Sequence, residues 1–490
     1  MLLHKRSLHF PLFLILAGIL ISACSEDEAA TGTSVEKPMP VISNAPAAES
    51  DLLPHQQMAK DFLKELIEID TTHSAGDATK AAQAMANRLI IAGFPEEDVQ
   101  VLVPVETKGN LVARFRGKES GLKPLILLAH IDVVEANPDD WELPPFTFIE
   151  KDGYYHGRGT TDDKDEAAIH IANLIRLKQE GYQPERDILV LLTADEEGGP
   201  HNGAKWLAQE HRDLIDAEYA LNEGGGGAIK NGRYISNAVQ ASEKIYQTFI
   251  LEFTNSGGHS SLPVKDNSIY HLADALAKIR DYDFPVNLND VTRLYFQRSA
   301  ELEEGELKTA MLEVLKTPPD ASAIAYLANT PFYNSRLRTT CVATRLDAGH
   351  RDNALPQRAR ATVNCRILPT ESVDEVELTL QTLIGDDQLG ISRVNEAVLS
   401  DPSPLTPALL GILENITESM WPGVPVIPTM SAGATDGMYL RNAGIPVYGI
   451  SGLFHDIDDK RAHGQNERIE IKAYFEGQEF LYRLTKALTQ

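Results

Sequence analysis

Two uninterrupted apolar runs constrain the fold more than any other feature. Leu125-Ile126-Leu127-Leu128-Ala129 and Ile188–Thr193 offer no polar face, so each fits a central strand covered on both sides, as in a parallel sheet sandwiched by helices. Helical apolar spacing over Leu52–Ile69 and Ala78–Ala92, the latter closed by Gly93, precedes them. Shorter strand-like runs, Val99–Val103 and Leu111–Phe115, and helical stretches Glu166–Gln179 and Lys205–His211 complete an α/β pattern. From about Glu243 the alternation changes. Ile245–Phe253 alternates like a half-exposed strand, Ile269–Ile279 is helical, and Thr340–Leu346 and Ala359–Ile367 are strand-like, which predicts a separate α+β module. The expected layout is an α/β domain, a mixed sheet flanked by helices, in two parts (51–242 and 396–490) around an insert at 243–395.

Both apolar runs end in chemistry. The first runs into His130-Ile131-Asp132, at the carboxyl end of a strand, where open α/β sheets bind ligands. Alone, this H-x-D fits a solvated histidine as well as a metal ligand oriented by its neighbouring acid. The second runs into Ala194-Asp195-Glu196-Glu197-Gly198-Gly199; adjacent carboxylates at a sheet edge repel unless a cation or a proton is shared. Between them lies Gly157-Arg158-Gly159-Thr160-Thr161-Asp162-Asp163-Lys164-Asp165, which reads equally as a helix cap or as a source of a bridging carboxylate. Asn222-Glu223-Gly224-Gly225 repeats the acid-glycine pattern, and His463-Gly464-Gln465-Asn466-Glu467-Arg468 adds a late histidine. Histidines and carboxylates without cysteine suit Zn²⁺ or a similar divalent ion.

These motifs, in this order, resemble those of the dinuclear zinc amidohydrolases that include aminoacylase, carboxypeptidase S, glutamate carboxypeptidase and succinyl-diaminopimelate desuccinylase. The resemblance spans about Leu52–Gln490. It implies two divalent metal ions, with His130, Asp162 and Glu223 on one, and Asp162, Glu197 and His463 on the other. Asp132 would orient His130, and Glu196 would act as general base toward the attacking water. Ser256-Gly257-Gly258-His259-Ser260-Ser261 resembles the lid motif whose histidine, here His259, stabilises the oxyanion. Asn353 and Arg366 resemble substrate-gripping lid residues, Arg366 as a carboxylate fork; Thr435 lies in a loop resembling the substrate-side loop before the last ligand, and its neighbour Asp436 fits a turn residue equally well. The family usually has glycine where this chain has Asp165, which could cap the helix or alter its packing. The implied reaction is cleavage of a peptide or an N-acyl amino acid beside a free carboxylate, with a homodimer through the lid as a further expectation.

Composition narrows the partners. A formal charge of −26 argues against nucleic acid, whose phosphates call for a basic face. His4, Lys5 and Arg6, the apolar stretch Leu8–Ile21 and Ile21-Ser22-Ala23-Cys24 read as a lipoprotein signal over 1–23 with Cys24 acylated. Residues 24–50 read as a flexible tether, and Ser25 favours the outer membrane, with the enzyme facing the periplasm and held to the membrane only by lipid. A lipoprotein solute-binding protein is the rival reading, but it has no use for Asp132 and Glu196 as acids beside five ligands. The other two of the three cysteines fall in the insert. If the Cys341 and Cys365 strands form a hairpin centred on Asn353, the two stand opposite, but cross-strand geometry is demanding, and the sequence leaves a disulfide and two free thiols both open, with free thiols favoured.

Overall fold

The protein is described by a computed structural model covering residues 52–118 and 121–490. The signal, Cys24 and the tether lie outside the described residues. No helix among those described is long and apolar enough to cross a membrane.

A ten-stranded mixed sheet forms the framework. Its central strands Ile188–Thr193, Leu125–His130, Tyr219–Asn222 and Val447–Gly449 run parallel in that order. Alternation divides their side chains between two cores. Leu125, Leu127 and Ala129 face the helices Pro54–Ile67, Ala78–Ile91, Lys164–Gln179 and Ile471–Leu488, while Ile126 and Leu128 meet Ala204, Leu207 and Leu440 on the other face. Every residue of both apolar runs is buried, and burying a leucine or isoleucine contributes about 1.5–3 kcal/mol. Register then sets the functional loops side by side. His130 pairs with Thr193, so the segments that follow each strand leave the sheet at the same level. Arg468–Glu470 pairs with Tyr154–His156, drawing the His463 loop against the Gly157–Asp162 turn.

A second sheet is antiparallel and four-stranded, ordered Thr340–Ala348, Arg358–Ile367, Ile245–Thr254, Gly390–Arg393. Helices Ser268–Arg280 and Val373–Ile384 cover one face, with Phe249, Leu251, Val363 and Cys365 in the core beneath. Cys341 and Cys365 are directly paired in the register and joined by a disulfide. Only Lys244 separates this sheet's Ile245 strand from the main-sheet strand Arg233–Glu243.

The stretch 243–395, expected as one module, contains two bodies. Helices Asp290–Ser299, Gly305–Glu313, Ala321–Ala328 and Pro331–Leu337 form a core of their own with Tyr295, Phe296, Met311, Leu327 and Leu337. That core includes Ile427 of the main-sheet strand Val426–Ser431, so the helical block is built onto the catalytic sheet. Its amphipathic pattern is that of any surface helix, and nothing local to it encodes which sheet it covers.

Candidate metal centre

At the carboxyl ends of the parallel strands the motif residues converge. His130 closes its strand, Glu196 and Glu197 follow Ile188–Thr193, and Glu223 follows Tyr219–Asn222. Asp162 precedes the helix Lys164–Gln179 and faces both histidines. His130 Nε2 is 2.9 Å from one Asp162 oxygen, and His463 Nε2 is 3.0 Å from the other and 2.9 Å from Glu197. His130, Asp162 and Glu223 form one group with ligand atoms within 4.8 Å of one another; Asp162, Glu197 and His463 form a second.

The electrostatics are those of crowded, mostly buried acids. Burial pushes Glu223 up to about 8, opposed by His130 and reinforced by Asp162, Asp436 and Glu197. Burial likewise raises Glu196 well above the carboxylate range, again opposed by His130. The His463 imidazole, hydrogen-bonded to Asp162 and Glu197, is raised to about 10. The donor set fits two divalent cations on two grounds. Three carboxylates, those of Asp162, Glu197 and Glu223, match most of their charge. Asp162 also offers one oxygen toward each group, as a bridging ligand must.

Asp132 acts differently from the expectation. Its main-chain carbonyl accepts from His130 Nδ1 at 3.0 Å, which leaves Nε2 to serve as the ligand nitrogen. Its carboxylate stays 3.8 Å from the ring and instead accepts the backbone N–H groups of Glu196 and Glu197, each at 3.1 Å. The acid therefore fixes the base-bearing turn, while its backbone orients the histidine.

Other side chains brace the site, and of these only Asp436 was singled out from sequence. Buried Glu467 accepts from Arg158 Nη1 at 2.6 Å, from the Gly159 and Thr161 N–H groups at 3.1 and 2.8 Å, and from the Thr161 hydroxyl at 3.0 Å. This clamps the His463 loop to the turn that delivers Asp162. Replacing Glu467 by glutamine is expected to weaken metal binding about 10–100-fold, as measured by chelator competition, since Gln cannot pair with the buried Arg158 charge. Asp195 pairs with Lys108 at 2.6 Å, and Asp436 accepts from Thr193 Oγ1 at 2.7 Å and Asn202 Nδ2 at 2.6 Å. Asp436 is thus a buried brace of the Glu196 loop. The only sequence signal for Glu467 was its place beside His463; Lys108 had none. Asp165, the departure from the expected glycine, is buried rather than solvated, and one of its oxygens has no protein partner.

The remaining expected site residues do not join the cluster. His259 is exposed on the second sheet's side of the chain, with Nδ1 facing the Ser261 N–H at 3.2 Å and hydroxyl at 2.7 Å. Asn353 neighbours it, its carbonyl accepting from Ser260 N–H at 3.0 Å. Arg366 lies over the Tyr246 ring at 4.7 Å. Thr435 is buried, and its N–H and hydroxyl both donate to Glu243, at 2.8 and 3.1 Å, so its side chain shapes the loop from within. Its expected substrate contact has no hydroxyl hydrogen left to donate.

Residues 126–487 match peptidase family M20/M25/M40. The chain is 33% identical over 394 residues to the N-fatty-acyl-amino acid synthase/hydrolase PM20D1 of Xenopus tropicalis, covering 78% of this chain and 76% of that protein. It is 25% identical over 509 residues to carboxypeptidase S of Saccharomyces cerevisiae, covering 93% and 84%. Among solved structures it resembles the M20 family metallo-carboxypeptidase Sso-CP2 from Sulfolobus solfataricus, with a TM-score of 0.66 at 18% identity, covering 89% of this chain and 99% of that one.

Proposed function

The chain belongs to peptidase family M20/M25/M40, and from that premise we propose that it cleaves the amide bond between an acyl group and an amino acid whose carboxylate is free. It is a metal-dependent hydrolase of C–N bonds. The observation that carries the mechanism is the placing of Asp162, one oxygen toward His130 and the other toward His463. Two divalent ions, proposed as zinc, would polarise the scissile carbonyl and activate the attacking water when bound there. Glu196 accepts the proton that water gives up and delivers it to the departing nitrogen. Its carboxylate belongs to neither donor group, and its backbone is held by Asp132, so it is free to cycle a proton. Because the Ser261 N–H points at His259 Nδ1, the neutral imidazole carries its proton on Nε2, where it can donate to the oxyanion.

Identity to the N-fatty-acyl-amino acid synthase/hydrolase supports an N-acyl amino acid as substrate, and the carboxypeptidase S relationship supports a short peptide as the second choice. A panel of N-dodecanoyl amino acids and dipeptides, each with its C-terminal carboxamide, tests this on zinc-loaded protein by amine release. Acyl amino acids are expected to turn over fastest and their carboxamides at least about tenfold slower, since a charged hydrogen bond is lost. Binding without turnover across the panel would favour the solute-binding reading. Acylation of Cys24, with an outer-membrane, periplasm-facing location, is supported by the lipobox sequence; detergent-phase partitioning that survives Cys24→Ala would reject it. Homodimerisation is supported by the outer strand Thr340–Ala348, which pairs on one side and exposes Val342 and Leu346. Sedimentation as a monomer at micromolar concentration would exclude it.

A further inference from the structure

Behind the second sheet lies a cavity of about 440 Å³, a volume that suits a small-molecule ligand. The helices Ser268–Arg280 and Val373–Ile384 line it with Leu276, Ile279, Leu380 and Leu383, and Phe284 adds to the apolar wall. The edge strand Thr340–Ala348 contributes Cys341 and Ala343. Cys341 is joined to Cys365, which packs beneath those helices. Successive strand residues point to opposite faces, so Arg366, next along from Cys365, faces the other side of the sheet. No residue of either donor group lines the cavity. It is therefore separate from the metal centre.

Two polar groups interrupt the apolar wall, and both lack a partner. Arg338 is only 5% exposed, and its Nε makes no hydrogen bond; Asn334, one helical turn earlier, has a buried Oδ1 that makes none either. Buried polar groups nearly always find partners, so two such orphans lining one cavity point to a ligand there. Arg338 has one counter-ion, Asp283, 3.1 Å from Nη1. That acid is 71% exposed, and pairs so open to water hold weakly. The other lining cation, Arg280, is matched by Asp281 at 2.7 Å. The guanidinium sits on a pinned segment, because the Arg338 carbonyl accepts from the Lys244 ammonium at 2.6 Å and Thr339 Oγ1 from the Leu368 N–H at 2.9 Å. A fixed guanidinium with a free edge matches a carboxylate. A neutral apolar guest would leave Nε orphaned, and a doubly charged phosphate would meet a single incompletely matched cation beside an acid.

We propose that this cavity is a second ligand site, which takes a single-chain fatty carboxylate with its head on Arg338 and its chain along Leu276, Ile279, Leu380 and Leu383. The test is calorimetric titration of the zinc-loaded protein with dodecanoate, dodecanamide and decanoate. It involves no turnover, so its outcome is separate from whether the protein hydrolyses acyl amino acids. Dodecanoate is expected to bind, dodecanamide at least about tenfold more weakly for want of the charged hydrogen bond, and decanoate roughly tenfold more weakly for want of two methylenes. Ala343→Trp, at an exposed lining position, should fill the cavity and abolish this binding with zinc content and melting profile unchanged. Arg338→Met should weaken dodecanoate on the order of tenfold to a hundredfold and leave dodecanamide nearly unmoved, and Arg338→Lys should recover part of the loss. Dodecanoate binding that survives both Ala343→Trp and Arg338→Met would place the ligand elsewhere and overturn the proposal. Equal affinity for dodecanoate and dodecanamide, or no binding of either, would overturn it too. If Arg338→Met does not fold, Ala343→Trp and the acid-amide comparison decide between them.

Discussion

Replacing Glu196 by alanine is expected to lower kcat roughly 10²–10⁴-fold while leaving two metal ions bound per chain. The expectation follows from a division of labour between adjacent carboxylates. Glu197 lies 2.9 Å from His463 and belongs to a donor group, whereas Glu196 belongs to neither. The backbone N–H groups of both are pinned by Asp132, so truncating the Glu196 side chain leaves the Glu197 backbone where it was. Burial also gives Glu196 a proton affinity above that of an ordinary carboxylate, which suits a group that must first take a proton and then give it up. Glu196→Gln, which keeps the shape and removes the basicity, should be nearly as impaired as alanine. Full turnover in either variant, measured at saturating substrate with metal content confirmed by mass spectrometry, would remove Glu196 from the chemistry.

Asp162→Asn should have the broadest effect of any single substitution, because one side chain serves both donor groups. An amide offers one oxygen, so it can still face His130 or His463, but not both as an acceptor. Affinity for both ions is expected to fall by at least about 100-fold, beyond the range seen for residues that only orient ligands, and activity should become undetectable at ordinary zinc concentrations. Glu223→Gln and His463→Ala each touch one group, so each should leave one ion bound. Thermal stability follows by linkage. Wild-type protein should melt several degrees lower after chelation, and Asp162→Asn should melt at the same temperature with or without chelator. Retention of two ions by Asp162→Asn would contradict the bridging role.

The parts of the fold that could be read from sequence are those specified locally. Apolar runs with no polar alternation had to be buried on both faces, and Leu125–Ala129 and Ile188–Thr193 are. Glycine-rich acidic segments directly after such strands had to sit at their carboxyl ends, which brought His130, Glu197 and Glu223 to one edge. Partnerships over long sequence separations were less visible. Glu467 clamps Arg158 and Thr161 across some three hundred residues, and no local pattern distinguishes it from the other acids of its loop. The helices after Asp290 look like ordinary amphipathic surface helices until Ile427 shows which sheet they cover. Asp132 was expected, by resemblance, to orient His130 through its carboxylate. The strand ends at His130, and beyond it the chain turns the Asp132 carboxylate toward the Glu196 backbone instead.

The central claim is a two-ion amide hydrolase assembled around Asp162. The most direct measurement is a zinc titration of chelator-stripped protein with amide hydrolysis and bound metal read together. Activity should rise from baseline and reach its plateau at two equivalents per chain in wild type, while Asp162→Asn stays at baseline throughout. Hydrolysis by stripped protein at the full rate, or a plateau in wild type with one ion bound, would contradict it.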